Sequence, residues 1–243
     1  MKRILLLVCF FIINLGFSQF EIEVEGAVGF QAYNDVRVPN EGGTKIDLTD
    51  DFSVRQPVIP FRARLIYTFN EKNHISALYA PLNIYYSGVS ANDLFFESTQ
   101  FMASDFINAS YRFNSYRLTY QRDVWKTEKW YLGLGLTAKI RDAKIRLRNE
   151  EVSDQTTDLG FVPLIRFYFT YTKNQHQGIL EGDGLFGPVG RAFDVFAGYQ
   201  YKFNERFSGK IGYRFIEGGA DVDQVYNFTW IHLATVGLNY KFN

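Results

Sequence analysis

Residues 130–150 read WYLGLGLTAKIRDAKIRLRNE, and apolar side chains occupy every second position over most of this stretch. A period of two is the pattern of a β-strand whose two faces meet different surroundings. Leu132, Leu134 and Leu136 share one face, while Lys139 lies on the other. Beyond Arg141 the apolar residues move to odd positions. The stretch therefore predicts a long strand, and the change of phase predicts a β-bulge near Arg141.

The same alternation recurs along the chain. It begins at Phe20, returns at 61–69 and resumes after a short turn at 70–73. Further strands are predicted near 103–124, 130–148, 158–172, 177–185, 190–203, 207–217 and 228–242, with a second bulge near Asn114. Longer loops are predicted near 35–56, 88–99, 149–156 and 218–227. Ten strands result, or eight if the Gly-rich segment at 175–188, which alternates poorly, is a loop.

The beginning of the chain predicts export. A basic head at Lys2 and Arg3, an apolar run and the small residues Gly16 and Ser18 are typical of a signal peptide covering 1–18. Cys9 is the only cysteine, so the mature chain 19–243 has no thiol. Removing Lys2 and Arg3 changes the net charge from 0 to about −2, which does not favour nucleic acid as a partner.

Composition and alternation together predict a membrane protein built from strands. Aromatic residues make up 18% of the chain, and no segment after the signal peptide is long and apolar enough for a membrane helix. A closed β-barrel is the other structure that satisfies every backbone amide in lipid. The fold class expected is all-β, an antiparallel transmembrane β-barrel over 19–243. Aromatic residues near the short turns fit an interfacial girdle: Tyr67, Phe69, Trp125, Trp130, Tyr171, Tyr201, Phe203, Tyr240 and Phe242.

Several segments carry a resemblance. The signal ending FSQ, the last strand TVGLNYKFN and the segments FNSYRLTY, GRAFDVFAGY and GYRFIEGGADVDQVYNF resemble single-chain outer-membrane β-barrel proteins of Gram-negative bacteria. The resemblance implies an outer-membrane location and contact with membrane lipid and lipopolysaccharide. It also implies that the insertion machinery reads the C-terminal strand, although Asn243 follows the aromatic Phe242 that this signal requires.

In this interpretation the charged face of each strand lines the lumen. Rings of Arg and Lys favour anions, so a passage or pocket for small anions is one hypothesis. Mutual pairing of the charges in a narrow barrel is the other. The candidate lumen residues are Arg62, Arg64, Arg117, Lys139, Lys144, Arg146, Arg166, Asp194, Lys210, Arg214, Glu21, Glu23 and Glu25.

The function expected is a small transport, pore or envelope-structural role without enzymatic activity, and no cofactor or metal site is predicted. One alternative is an outer-membrane enzyme of the protease or lipid A modifying type. Its rim site would use His232 as a base with Glu217, Asp221 and Asp223 nearby in sequence. The other alternative is a cell-surface binding protein that uses the loop at 35–56.

Overall fold

The structure is a computed structural model that describes residues 19–242, so the predicted signal peptide lies outside the described residues. No helix among them is long and apolar enough to cross a membrane. The strands are β1 (Gln19–Arg37), β2 (Ile46–Asp47), β3 (Ser53–Val54), β4 (Phe61–Phe69), β5 (Asn73–Ala80), β6 (Asn83–Val89), β7 (Leu94–Phe96), β8 (Thr99–Phe101), β9 (Phe106–Lys126), β10 (Trp130–Arg148), β11 (Ser153–Lys173), β12 (His176–Gly187), β13 (Gly190–Lys202), β14 (Phe207–Val222) and β15 (Val225–Phe242).

The sheet closes on itself. β1 pairs with β4 on one side and β15 on the other, and every wall pairing is antiparallel. β5 and β6 share one wall position because both pair with β9, whose other edge pairs with β10. The wall therefore has ten positions, which confirms the predicted ten-stranded antiparallel barrel. The doubtful segment at 175–188 contributes a full strand, β12.

The break between β5 and β6 lies at Pro81, which has no N–H to donate to the ladder. Across the break, the Leu82 carbonyl accepts from the Phe113 N–H at 2.8 Å. The Leu82 N–H donates to the Asn114 side chain at 3.2 Å. The predicted bulge near Asn114 is wrong, since the β9–β10 register is continuous there. Asn114 instead accepts a hydrogen bond from the backbone at the interruption in the neighbouring strand.

Two of the four predicted long loops are also wrong. The register of β10 and β11 continues to Arg148 and Ser153, and that of β14 and β15 to Val222 and Val225, so tight turns close both hairpins. The residues predicted as loops at 149–156 and 218–227 mostly extend the strands. Their outward side chains are polar, and this composition suggested loops. Long connections do occur at 38–60 and 90–105. The first contains the short strands β2 and β3, and the second contains β7 and β8.

The chemistry of the lumen changes with height, and no bulge is needed to explain the change of phase near Arg141. On β10, buried Thr137 and Lys139 share their parity with buried Ile145 and Leu147. On β9, Arg117 likewise shares its parity with buried Tyr111. The predicted bulge near Arg141 is therefore wrong. Register shifts occur elsewhere, between Gln31 and Tyr33 and between Leu132 and Gly133.

An apolar band surrounds the lower part of the barrel, where the short turns lie. On β1 it extends from Phe20 to Phe30, which corresponds to roughly 25 Å for a tilted strand. That height matches the apolar band of membrane barrels. Aromatic rings cluster at its lower edge, with the Trp130 and Tyr171 centroids 4.5 Å apart. This edge contains the residues that the sequence assigned to an interfacial girdle.

The two long connections form a cap, defined as residues 38–60 and 90–105, over part of the upper lumen. Their apolar side chains Ile46, Leu48, Phe96 and Phe101 are buried. They belong to one apolar cluster with wall residues such as Tyr86. The loop at 35–56, proposed above as a ligand-binding loop, thus packs its apolar side chains into the barrel, while polar residues such as Glu41 and Lys45 are exposed.

The band makes a prediction about stability. Leu136 is 68% exposed on the outer face within the band. Leu136→Lys should lower the free energy of unfolding by about 2 to 4 kcal/mol, because a charge would face hydrocarbon. The measurement is urea unfolding in phospholipid vesicles, followed by tryptophan fluorescence. Thr157→Lys, on the outer face of β11 above the band, is the matched control and should change little. Equal losses in both variants would contradict the position of the band.

Candidate functional site

The middle of the lumen is filled by an ion-pair lattice, and alternation on the wall strands places its members. Glu23 and Glu25 point inward because they alternate with the exposed Ile22 and Val24 on β1. The same rule applies around the barrel. The lattice consists of Glu23, Glu25, Arg62, Arg64, Arg117, Arg166, Glu181, Asp183, Asp194, Lys210 and Arg214, all buried.

Lys210 stands among three carboxylates. Its Nζ lies 2.8 Å from Glu23 Oε2 and 3.2 Å from Glu181 Oε1, and it also pairs with Glu25. These three carboxylates are close enough together to hold a metal ion. An ammonium group already occupies their centre, so the arrangement satisfies the carboxylates without a metal.

Arginines connect the rest of the lattice. Arg214 donates to Asp194 Oδ1 and Glu25 Oε1, both at 2.8 Å. Arg117 donates to Asp183 Oδ2 at 2.8 Å and Asp194 Oδ2 at 2.6 Å. Two donors in a fixed fork allow each guanidinium to bridge two carboxylates. The lattice therefore connects strands on opposite sides of the barrel.

Most of the predicted lumen residues belong to this lattice. Arg62, Arg64, Arg117, Arg166, Asp194, Lys210, Arg214, Glu23 and Glu25 are brought together in it. Glu21 lies nearer the lower end, 3.7 Å from Lys241. Arg146 alternates with buried Ile145 and Leu147, so it lies on the outer face above the apolar band, and its assignment to the lumen is corrected for that reason. Lys144 has the same parity on β10 but borders the cavity described below.

Two members were missed by the sequence analysis. Glu181 and Asp183 lie in the glycine-rich segment of β12, where LEGDG suggested a turn. Ile179, Glu181 and Asp183 alternate inward, while the outer face carries Leu180 followed by Gly182 and Gly184. The inward period of two was present in the sequence. The two glycines interrupt the apolar pattern on the opposite face and concealed it.

Above the lattice lies a cavity of about 460 Å³. Its floor is charged and includes Arg117, Lys139, Asp183 and Asp194. Its walls are mostly apolar and come from β9, β10, β11 and β14, with Phe113, Ile145, Leu164 and Ile216 among them. A mostly apolar pocket of this size with a few convergent polar groups is typical of small-molecule sites.

Lys139 is the cation of the floor that lacks an acidic partner in the described part of the chain. Its residue is 4% exposed, and its Nζ lies 4.6 Å from the centroid of the Phe113 ring. The nearby carboxylates are otherwise engaged: Asp183 accepts from Arg117 and from Thr137 Oγ1 at 2.6 Å. Asp194 accepts from three arginines. The Lys139 amine therefore faces the cavity without a carboxylate partner of its own.

The predicted rim site is dispersed. His232 lies on the outer face, where its ring stacks on Phe30 at 5.0 Å and its Nδ1 bonds with the Tyr213 hydroxyl. Glu217 accepts from Arg191 Nε at 2.6 Å and from Tyr33.

The two aspartates of the predicted rim site also lie apart from the His232 ring. Asp221 accepts from Asn40 at 2.6 Å, and Asp223 lies in the turn between β14 and β15. Among residues 19–242, no carboxylate forms a hydrogen bond with His232 in a way that would orient a general base.

Comparison with solved structures places the fold. The outer membrane protease OmpT from Escherichia coli has a TM-score of 0.53 and 13% identity, covering 93% of this chain and 96% of that one. The chain has the fold of outer-membrane β-barrels. The barrel also matches Ail, the attachment invasion locus protein of Yersinia pestis, with a TM-score of 0.41, 13% identity and coverage of 93% and 99%. An outer membrane channel from Pseudomonas putida F1 gives 0.47, 10% identity and coverage of 93% and 96%.

No protein-family model matches the chain, and no curated protein is similar to it in sequence. At the identities found, the comparison with solved structures concerns the fold alone.

The lattice makes a second prediction. Lys210→Met should lower the free energy of unfolding by about 3 to 5 kcal/mol, because Glu23, Glu25 and Glu181 would lose their shared cation in a buried site. Lys129→Met, at an exposed turn position, removes the same charge and is the matched control. The measurement is the urea midpoint of the two refolded variants. A Lys210 variant as stable as the control would show that the carboxylates do not depend on this amine.

Proposed function

We propose that this protein is an outer-membrane barrel with a sealed lumen that binds a small apolar molecule in its upper half. The observation that carries the proposal is the apolar-walled cavity of about 460 Å³ directly above the buried ion-pair lattice. The lattice separates the cavity from the lower end of the barrel. A binding role fits this arrangement better than passive diffusion through the lumen.

The seal has two parts. At mid-height the lattice side chains are buried, and Arg214 at 1% exposure shows how little free space remains around them. At the upper end the cap fills the side of the lumen next to β1, β6 and β9. Barrels of this size have an interior that side chains are able to fill. The cavity is the part of the upper lumen that neither the lattice nor the cap occupies.

The geometry favours this role over the alternatives. Three of the four residues proposed for a rim enzyme, His232, Glu217 and Asp221, contact other partners as described above. Of the four, Glu217 alone lines the cavity. The loop at 35–56 contributes buried apolar residues to the cap. A small-anion pore would require an open path through charges that are paired with each other.

A conductance measurement tests the seal. Reconstituted in a planar bilayer under a salt gradient, the refolded chain should insert and give no reproducible current steps. Arg64→Ala/Glu181→Ala/Lys210→Ala removes three side chains from one region of the lattice and should conduct. Insertion of both proteins is checked by heat-modifiable migration on gels. Reproducible steps from the unmodified chain would overturn the sealed-barrel proposal.

A dye-binding measurement tests the pocket. An uncharged environment-sensitive dye, N-phenyl-1-naphthylamine, should bind the barrel in nanodiscs above the level of empty nanodiscs. Ala143→Trp places an indole in the cavity and should reduce this binding at least tenfold. Ala138→Trp, on the outer face of the same strand, is the matched control and should bind normally. Equal binding by both variants would place the dye outside the cavity.

A further inference from the structure

The barrel wall is incomplete beside the cavity. β11 pairs with β10 from Tyr171 up to Ser153, whereas it pairs with β12 only up to Ile165, opposite Gly184. β12 then turns back through the residues between Gly187 and Gly190. The upper edge of β11, residues 153–164, therefore stands without a partner on that side. We call the resulting opening the notch.

The sequence explains why pairing stops at this height. Pro163 has no N–H and lies two residues beyond the last paired residue, Ile165. Proline is confined to strand edges because it removes a ladder hydrogen bond. On the other side, the β12–β13 hairpin is short, and its turn contains Pro188 and Val189 between Gly187 and Gly190. Both edges of the notch are therefore encoded locally.

The notch lies partly within the apolar band. Phe161 on β11 pairs with Ile140 on β10, both exposed on the outer face, so the band continues above Ile165. Each flank carries an exposed apolar side chain: Leu159 and Phe186 are each 75% exposed. A sheet edge is costly in hydrocarbon unless it borders a cavity, because its N–H and C=O groups lack partners. The cavity beside the notch meets this requirement.

The cavity reaches both edges of the notch. Its lining includes Val162 and Leu164 from β11, and Leu185 and Val189 from the β12–β13 hairpin. The upper part of the notch edge is polar, since Arg141 Nε donates to Asp158 Oδ2 at 3.0 Å there and both side chains line the cavity. An apolar molecule would therefore meet a matching surface at the lower part of the notch and a charged pair above it.

We propose that the notch admits, from the surrounding lipid, an apolar molecule carrying one carboxylate, which binds Lys139. This inference rests on the proposed function, because it names the ligand class and route of the same cavity. Lys139 is buried, faces the cavity and has no acidic partner in the described residues. A ligand carboxylate would supply the missing counter-charge, and its alkyl chain would lie along Phe113, Leu164 and Ile216.

The ligand class is tested with radiolabelled dodecanoate and with dodecanol, its uncharged counterpart, on barrel-containing nanodiscs corrected for empty ones. Dodecanoate should bind at least tenfold more tightly than dodecanol. Lys139→Met should lower dodecanoate affinity at least tenfold and leave dodecanol unchanged. Lys126→Met, at the exposed lower end of β9 and away from the cavity lining, is the matched control and should behave as the unmodified barrel.

The outcomes separate the two proposals. Equal binding of both probes, unaffected by Lys139→Met, would overturn the carboxylate assignment while the pocket stands. Binding of neither probe, together with no dye binding, would overturn the proposed function itself.

The route is tested by closing the notch. Val162→Cys with Leu185→Cys, in a Cys9→Ser background without other thiols, provides one cysteine on each edge. Bridging them with a bifunctional methanethiosulfonate should slow dodecanoate uptake at least tenfold, and reduction should restore it. Leu136→Cys with Ile165→Cys bridges the intact β10–β11 seam and should leave the rate unchanged. An unchanged rate with the notch bridged would overturn lateral entry.

Discussion

Strict alternation around a closed wall is the constraint on which the rest of this structure depends. Each strand that turns apolar residues outward within the band turns their neighbours inward, where the circumference leaves little room. The inward residues at mid-height are mostly charged, and the structure pairs them in one lattice centred on Glu25, Asp194 and Arg214. The lattice is thus a core built from ion pairs, and its members depend on one another because a lone buried charge is costly.

The same constraint explains why the interior changes from charged to apolar with height. Within the band, the outer face meets an apolar environment, and polar residues are placed inside. Above the band, the outer face is polar, as at Arg112 and Asp142, which pair with each other there. The inward face then carries Tyr111, Ile145 and Leu147, which pack with the cap. One strand serves both environments by exchanging the chemistry of its two faces while keeping its register.

The cavity arises where these two kinds of core meet. Below it, the lattice supplies a polar floor that includes Lys139, whose amine has no carboxylate partner among the described residues. Beside it, the wall is shorter because β12 and β13 turn back early and Pro163 ends the ladder. A floor with an unpaired amine, apolar walls and a notch with apolar side chains on both flanks favour a carboxylate-bearing apolar ligand over an aqueous solute. The sealed lattice and the proposed ligand site are therefore two parts of one interior.

The sequence by itself determined the fold class, the ten strands and most of the lattice, because a period of two records which side of a wall each residue faces. It misassigned Arg146, since alternation does not show the height at which the outer environment changes from apolar to polar. It missed Glu181 and Asp183, because the outward glycines Gly182 and Gly184 interrupt the apolar face of β12. Tertiary structure alone decided which charges pair, why Lys139 lacks a carboxylate partner and where the wall is open. These properties depend on side chains from strands far apart in the chain. Closure of the barrel brings Arg117 Nη2, for example, to 2.6 Å from Asp194 Oδ2.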